Sequence, residues 1–94
     1  MFEINRTEAG AIRLAGRFDA SQVSSAQEIF DTVEGDCVID CGDLEYISSA
    51  GLGILLATYK RLQAGGYTLK LRNLRKLVRD VFRYSRMDTI FEIE

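Results

Sequence analysis

The sequence predicts a small α/β domain, a mixed β-sheet with helices mainly on one side. Two observations point there. Short runs with period-two alternation (FEINR, AIRLA, DCVIDC, YTLKLR) recur along the chain, and apolar residues at helical spacing fill the intervals around the later ones. Strands separated by helices want parallel neighbours joined by right-handed crossovers. At 94 residues the chain reads as a single domain, 1–94, able to bury roughly 60–65% of its unfolded surface.

The first run sets Phe2 and Ile4 against polar neighbours. Residues 11–15 do the same with Ile12 and Leu14, and the polar TEAG between them makes an antiparallel hairpin. Gly16 is expected to end that second strand. A helix follows with Val23, Ala26, Phe30 and Val33 on one side; Asp19, Ser21 and Ser24 are its candidate caps, and Gly35 stops it. Residues 36–41 make a strand with Cys37, Ile39 and Cys41 on one face, and GDLEYI reads as the loop after it. The segment from Tyr46 to Leu62 places Leu52, Leu55, Leu56, Tyr59 and Leu62 on one helical stripe, with Ser48 and Ser49 at its mouth. Gly65 and Gly66 close that helix. In YTLKLR, Tyr67, Leu69 and Leu71 point inward. A third helix begins near Leu74 with Leu77, Val78, Val81, Phe82 and Ser85 inside, and Thr89–Ile93 leaves room for a short last strand. The order is β-β-α-β-α-β-α with that final strand.

Composition excludes several function classes. A net charge of −2 gives no basic excess of the kind nucleic-acid and membrane-surface proteins show, so neither partner is expected. No apolar run approaches the roughly 18–20 residues of a membrane span, and the first residues lack the sections of a secretory signal, so the expected location is cytoplasmic. Histidine is absent, which removes Ser–His and Cys–His catalytic pairs and the usual near-neutral base. Cys37 and Cys41, four apart on a strand, stand roughly 13 Å apart, too far for a bridge, and read as buried apolar residues.

Four motifs bear on chemistry. Ile47-Ser48-Ser49-Ala50-Gly51 is not a nucleophile elbow, which needs a histidine. Gly51-x-Gly53 lacks the further glycine or Gly-Lys-Ser/Thr of a phosphate-binding loop. Asp19, Asp40 and Asp43 have no ligand spacing on one loop, so neither a metal site nor a cofactor is expected. Arg75, Arg79, Arg83 and Arg86, with Lys76, form a basic stripe on the last helix. A solvated face is its ordinary reading, and a docking surface for an acidic partner is the alternative.

The serine pair remains. Serine before a helix is ordinarily a cap worth about 1 kcal/mol. Here two stand in tandem ahead of Ala50, Gly51 and Gly53, which add little bulk and leave room for another protein to approach. In open α/β sheets functional groups gather at the C-terminal strand ends. That edge holds both the Asp19 loop and the Ser48–Ser49 helix start.

These residues carry a resemblance. GRFDAS at Gly16–Ser21, VIDCGDLEYI, SSAGLG at Ser48–Gly53 and LRNL before the last helix together resemble a STAS domain, and closely the stand-alone bacterial anti-sigma factor antagonists. The resemblance implies a non-enzymatic switch. A partner that is both anti-sigma factor and serine kinase phosphorylates the serine at this helix start, a PPM-type phosphatase reverses it, and the unphosphorylated antagonist binds the anti-sigma factor and frees sigma. By position the acceptor is Ser49, with Ser48 the alternative, since serine stands where family members commonly have an acidic residue. Asp19, Ala50, Gly51 and Gly53 would support the site, and Ser48, Ser49, Leu52 and Gly53 would meet the partner. ATP and magnesium would belong to that partner. The rival implied by the same family is a constitutive STAS scaffold subunit of a transporter or larger signalling complex.

Overall fold

The structure, a computed structural model, describes residues 1–7 and 10–94. Its elements are β1 (Phe2–Arg6), β2 (Ile12–Phe18), a 3-10 turn (Ala20–Gln22), α1 (Val23–Phe30), β3 (Cys37–Ile47), α2 (Ser49–Ala64), β4 (Leu69–Arg72), α3 (Lys76–Tyr84), a second 3-10 turn (Met87–Thr89) and β5 (Glu92–Ile93). The strands lie in chain order, β1-β2-β3-β4-β5. β1 is antiparallel to β2, and every later pair is parallel. The TEAG turn falls partly outside the described residues.

Each parallel crossover steps to the next strand in the same direction, so right-handed connections bring the helices to a common face. Between them and the sheet lies one apolar cluster. Phe18, Phe30 and Phe82 are fully buried in it, each worth roughly 1.5–3 kcal/mol removed from water. Phe91 joins α3 to α2, its ring edge-on to Phe82 at 5.7 Å and to Tyr59 at 5.4 Å. The other face of the sheet carries paired charges: Arg13 with Asp43 at 2.7 Å and Glu3 at 3.5 Å, Lys70 with Glu92 at 3.1 Å. There Arg17 also lies over the Tyr46 ring at 4.4 Å. Cys37 and Cys41 are free thiols within the core.

Several expectations need correction. Gly16 does not end β2. It sits inside the strand at φ +84°, where the pairing with β3 slips by a residue. A Cβ there would come within 1.9 Å of the Met1 carbonyl oxygen, which accepts a hydrogen bond from the Arg17 N–H at 2.9 Å. GDLEYI is not a loop but the second half of β3, paired to β2 as far as Phe18 and Ile47. Irregular register moves the buried set from Cys41 to Leu44, three residues on, and that break in period two is what reads as loop. None of the candidate caps serves α1: Asp19 caps the 3-10 turn before it, through a capping box with Gln22, while α1 starts after Gln22 without a side-chain cap and ends at Phe30, short of Val33 and Gly35. Tyr67 is exposed, because β4 starts only at Leu69. Leu77 and Ser85 are exposed too; Val78 and Phe82 are the buried residues of α3.

Candidate functional site

The mouth of α2 is built by the end of β3. Ile47 is buried, and Ser48 stays extended at φ −87° and ψ 171°, the conformation an N-cap requires. All three of its polar groups are used. The N–H donates to the Phe18 carbonyl at 2.9 Å, the carbonyl accepts from the Leu52 N–H at 2.9 Å, and Oγ accepts from the Gly51 N–H at 3.2 Å. Ser48 is therefore the structural cap, half-buried and tied to the last residue of β2.

Ser49 is the first helical residue and is exposed. Among the described residues its hydroxyl has no hydrogen-bond partner, and the first turn of α2 holds no acidic side chain. The positive end of the helix dipole thus faces solvent without a counter-charge from its own helix.

The small residues behind the serines divide the work between them. Gly51 is buried: a Cβ there would stand 2.9 Å from Ile47 Cγ1 and 3.2 Å from the Phe18 ring, so this glycine lets α2 close onto the sheet. Gly53 is exposed with open space where a Cβ would be, and it alone of the pair provides the access expected of both. Ala50 is half-buried. Leu52, expected at a partner-facing rim, is only 5% exposed and belongs to the core, because it follows the stripe that packs on the sheet.

Asp19 stands across the same edge, beyond the Phe18–Ile47 pair. Its carboxylate accepts from the Ser21 hydroxyl at 2.6 Å and the Ser21 N–H at 3.0 Å, while its own N–H donates to Gln22 Oε1 at 2.9 Å. Those bonds from Ser21, hydroxyl first, hold its pKa below the usual carboxylate value. Its part is to cap the neighbouring 3-10 turn.

Asp40 and Asp43 stand apart from this edge. Asp40 accepts from the Gly42 N–H at 2.9 Å and the Asn73 amide at 3.2 Å, and Asp43 pairs with Arg13. Among the described residues no cluster of three or more histidine, cysteine, aspartate or glutamate side chains is placed to hold a metal. Nor does any described helix have the length and apolarity to cross a membrane.

Sequence reasoning passed over Phe18. Its carbonyl anchors Ser48, and its ring, stacked on Phe2 at 4.7 Å, floors Gly51. The signal was there in a large apolar residue closing a strand immediately before Asp19.

Residues 3–92 match the family model described as Mlab, STAS domain. A Bordetella bronchiseptica protein named as an anti-sigma factor antagonist, BtrV, is 41% identical over 63 residues, which are 67% of this chain and 54% of that protein. The chain thus spans about half the length of that curated relative. Among solved structures, a Thermotoga maritima protein described as an anti-sigma factor antagonist matches with a TM-score of 0.80 at 17% identity, over 99% of this chain and 85% of that one. Bacillus SpoIIAA in its phosphorylated form matches with a TM-score of 0.71 at 18% identity, over 100% of this chain and 91% of that one. Its unphosphorylated form gives 0.69 at 18% identity, over 100% and 87%. At such identities the structural likeness speaks for the fold.

Proposed function

This chain belongs to the STAS domain family, and on that footing we propose that it is an anti-sigma factor antagonist operated by phosphorylation of Ser49. One observation carries the choice of residue. Ser48 spends its hydroxyl on the Gly51 N–H, whereas Ser49, next in the chain, is exposed and unengaged. The reading draws further support from the similar Bacillus SpoIIAA, known in phosphorylated and unphosphorylated forms.

Unphosphorylated protein presents Ser49 and the open surface at Gly53 to an anti-sigma factor that is also a serine kinase. ATP and magnesium are the partner's. A phosphoryl group on Ser49 adds about −1.5 to −2 charges at a helix start, where the backbone dipole tolerates them. A partner surface fitted to a neutral hydroxyl does not, and like-charge repulsion with desolvation weakens the complex by about 1–3 kcal/mol. A PPM-type phosphatase restores the binding form. The protein performs no catalysis of its own and acts in the cytoplasm.

The test is incubation with the host's anti-sigma kinase and labelled ATP. Label is expected on wild type and Ser48→Ala and lost in Ser49→Ala; equal label on Ser49→Ala would overturn the assignment. In a binding assay Ser49→Asp should weaken the complex at least about fivefold. Affinity undiminished by this change would point instead to a constitutive scaffold subunit.

A further inference from the structure

An acceptor hydroxyl has to be held still as well as exposed. Ser49 is the first residue of α2, and the turn it opens is intrinsically loose. Positions 51 and 53 are glycine, the poorest helix former after proline. No acidic side chain in that turn answers the positive end of the helix dipole.

Two anchors offset this looseness. One is burial: Leu52 belongs to the core, and Gly51 lies against Ile47 and the Phe18 ring. The other is Ser48. Its N–H donates to the Phe18 carbonyl, which ties the mouth of the helix to the end of β2. Its Oγ accepts from the Gly51 N–H at 3.2 Å, and among the described residues this is the one side-chain bond to the N–H groups that open α2. Ser49 therefore sits between a residue fixed to the sheet and a residue fixed by that hydroxyl.

We infer that Ser48 is a positioning residue for the modification of Ser49, an inference that rests on Ser49 being the acceptor. In the transfer the bond from Ser49 Oγ to the γ-phosphorus of ATP forms as the bond from that phosphorus to ADP breaks. The Ser49 proton passes to a base of the kinase. Ser48 takes no part in these steps; it fixes where the attacking oxygen stands, and a displacement of about 1 Å can cost on the order of 10²-fold in rate. Without the hydroxyl the Gly51 N–H is left open and the first turn frays. Its hydroxyl is spent inside the helix, so recognition of the partner does not depend on it.

The experiment follows steady-state phosphorylation by the host's anti-sigma kinase. For Ser48→Ala, kcat should fall about fivefold with KM unchanged, the factor by which a lost cap favours the frayed turn. Ser48→Thr and Ser48→Asn, which keep an acceptor at the cap, should restore kcat. Hydrogen exchange should show the Gly51 N–H of Ser48→Ala exchanging about fivefold faster. Ile29→Val trims a partly buried side chain in the last turn of α1 and loses comparable stability outside the serine turn. It should keep the wild-type kcat, which separates positioning from general loosening. A wild-type kcat in Ser48→Ala overturns the inference, as does failure of both cap variants to restore it, or an equal fall in Ile29→Val. Wild type that takes no label refutes Ser49 as the acceptor and this inference with it. Labelled wild type with an unaffected Ser48→Ala refutes this inference alone.

Discussion

Two glycines two residues apart in α2 should respond oppositely to the same substitution. Changing either to alanine removes the same flexibility from the unfolded chain and gains up to about 1 kcal/mol of helix propensity. At Gly53 nothing stands within 4 Å of the new methyl, so Gly53→Ala should keep that gain. In a domain of this size it appears as a rise of roughly 4–8 °C in Tm. At Gly51 the methyl arrives 2.9 Å from Ile47 Cγ1 and 3.2 Å from Phe18, both buried and unable to step aside. Overpacking of that kind costs about 1–3 kcal/mol. The propensity gain is common to both variants and cancels in their difference, so Gly51→Ala should melt at least about 4 °C below Gly53→Ala. Calorimetry on the two proteins side by side measures this directly. Equal melting temperatures, or a Gly53→Ala that melts below wild type, would refute the division of labour between the glycines.

The serines should separate in the same way. Ser48→Ala, which strips the cap from the Gly51 N–H, should lose about 1 kcal/mol in urea denaturation, while Ser49→Ala stays within about 0.5 kcal/mol of wild type. The Cys41 thiol is pushed up to about 12, chiefly by burial and secondarily by the charge of Asp40, and burial also raises Cys37. Neither should react with a thiol reagent at pH 8 until urea unfolds the chain; prompt labelling of native protein would contradict their placement. Asp40 has its pKa lowered first by the Gly42 N–H bond and then by Asn73 and Arg72. A carboxylate with a depressed folded pKa contributes stability above its unfolded value, near 3.9, and loses it as pH falls through the folded value. Asp40→Asn should therefore cost stability at pH 7 and progressively less as pH drops toward 3, read from urea midpoints.

The alternation of strand and helix was legible because the core positions obey simple periods: Leu69 and Leu71, Ile12 and Leu14, and on α2 Leu52, Leu55 and Leu62 lie where those periods put them. On the same helix Leu56 and Tyr59 are only partly buried, and Ile54 and Thr58 take their share of the core face. What was not legible arises where a period breaks. The slip in β2–β3 pairing threw Leu44 and Ile47 off the rhythm of Cys37, Ile39 and Cys41, so half of the longest strand looked like a connection. Tyr67 was placed inside by alternation and Leu77 by the helical face shared with Val78 and Phe82, yet β4 starts only at Leu69 and α3 turns Leu77 to solvent. At the serines, spacing located the helix start to the residue. Only geometry distinguished the hydroxyl that caps from the hydroxyl left open, and the glycine that packs from the one that clears space.

The plain succession of strands across the sheet also bears on how the molecule assembles. Every strand finds its hydrogen-bonding neighbour in the strand synthesised just before it. No segment has to wait for a distant stretch of chain, and the loops to be closed are short, which favours quick folding for a largely parallel sheet. Such an architecture can accrete from its first hairpin onward, each helix sealing the strand pair it connects before the next is added.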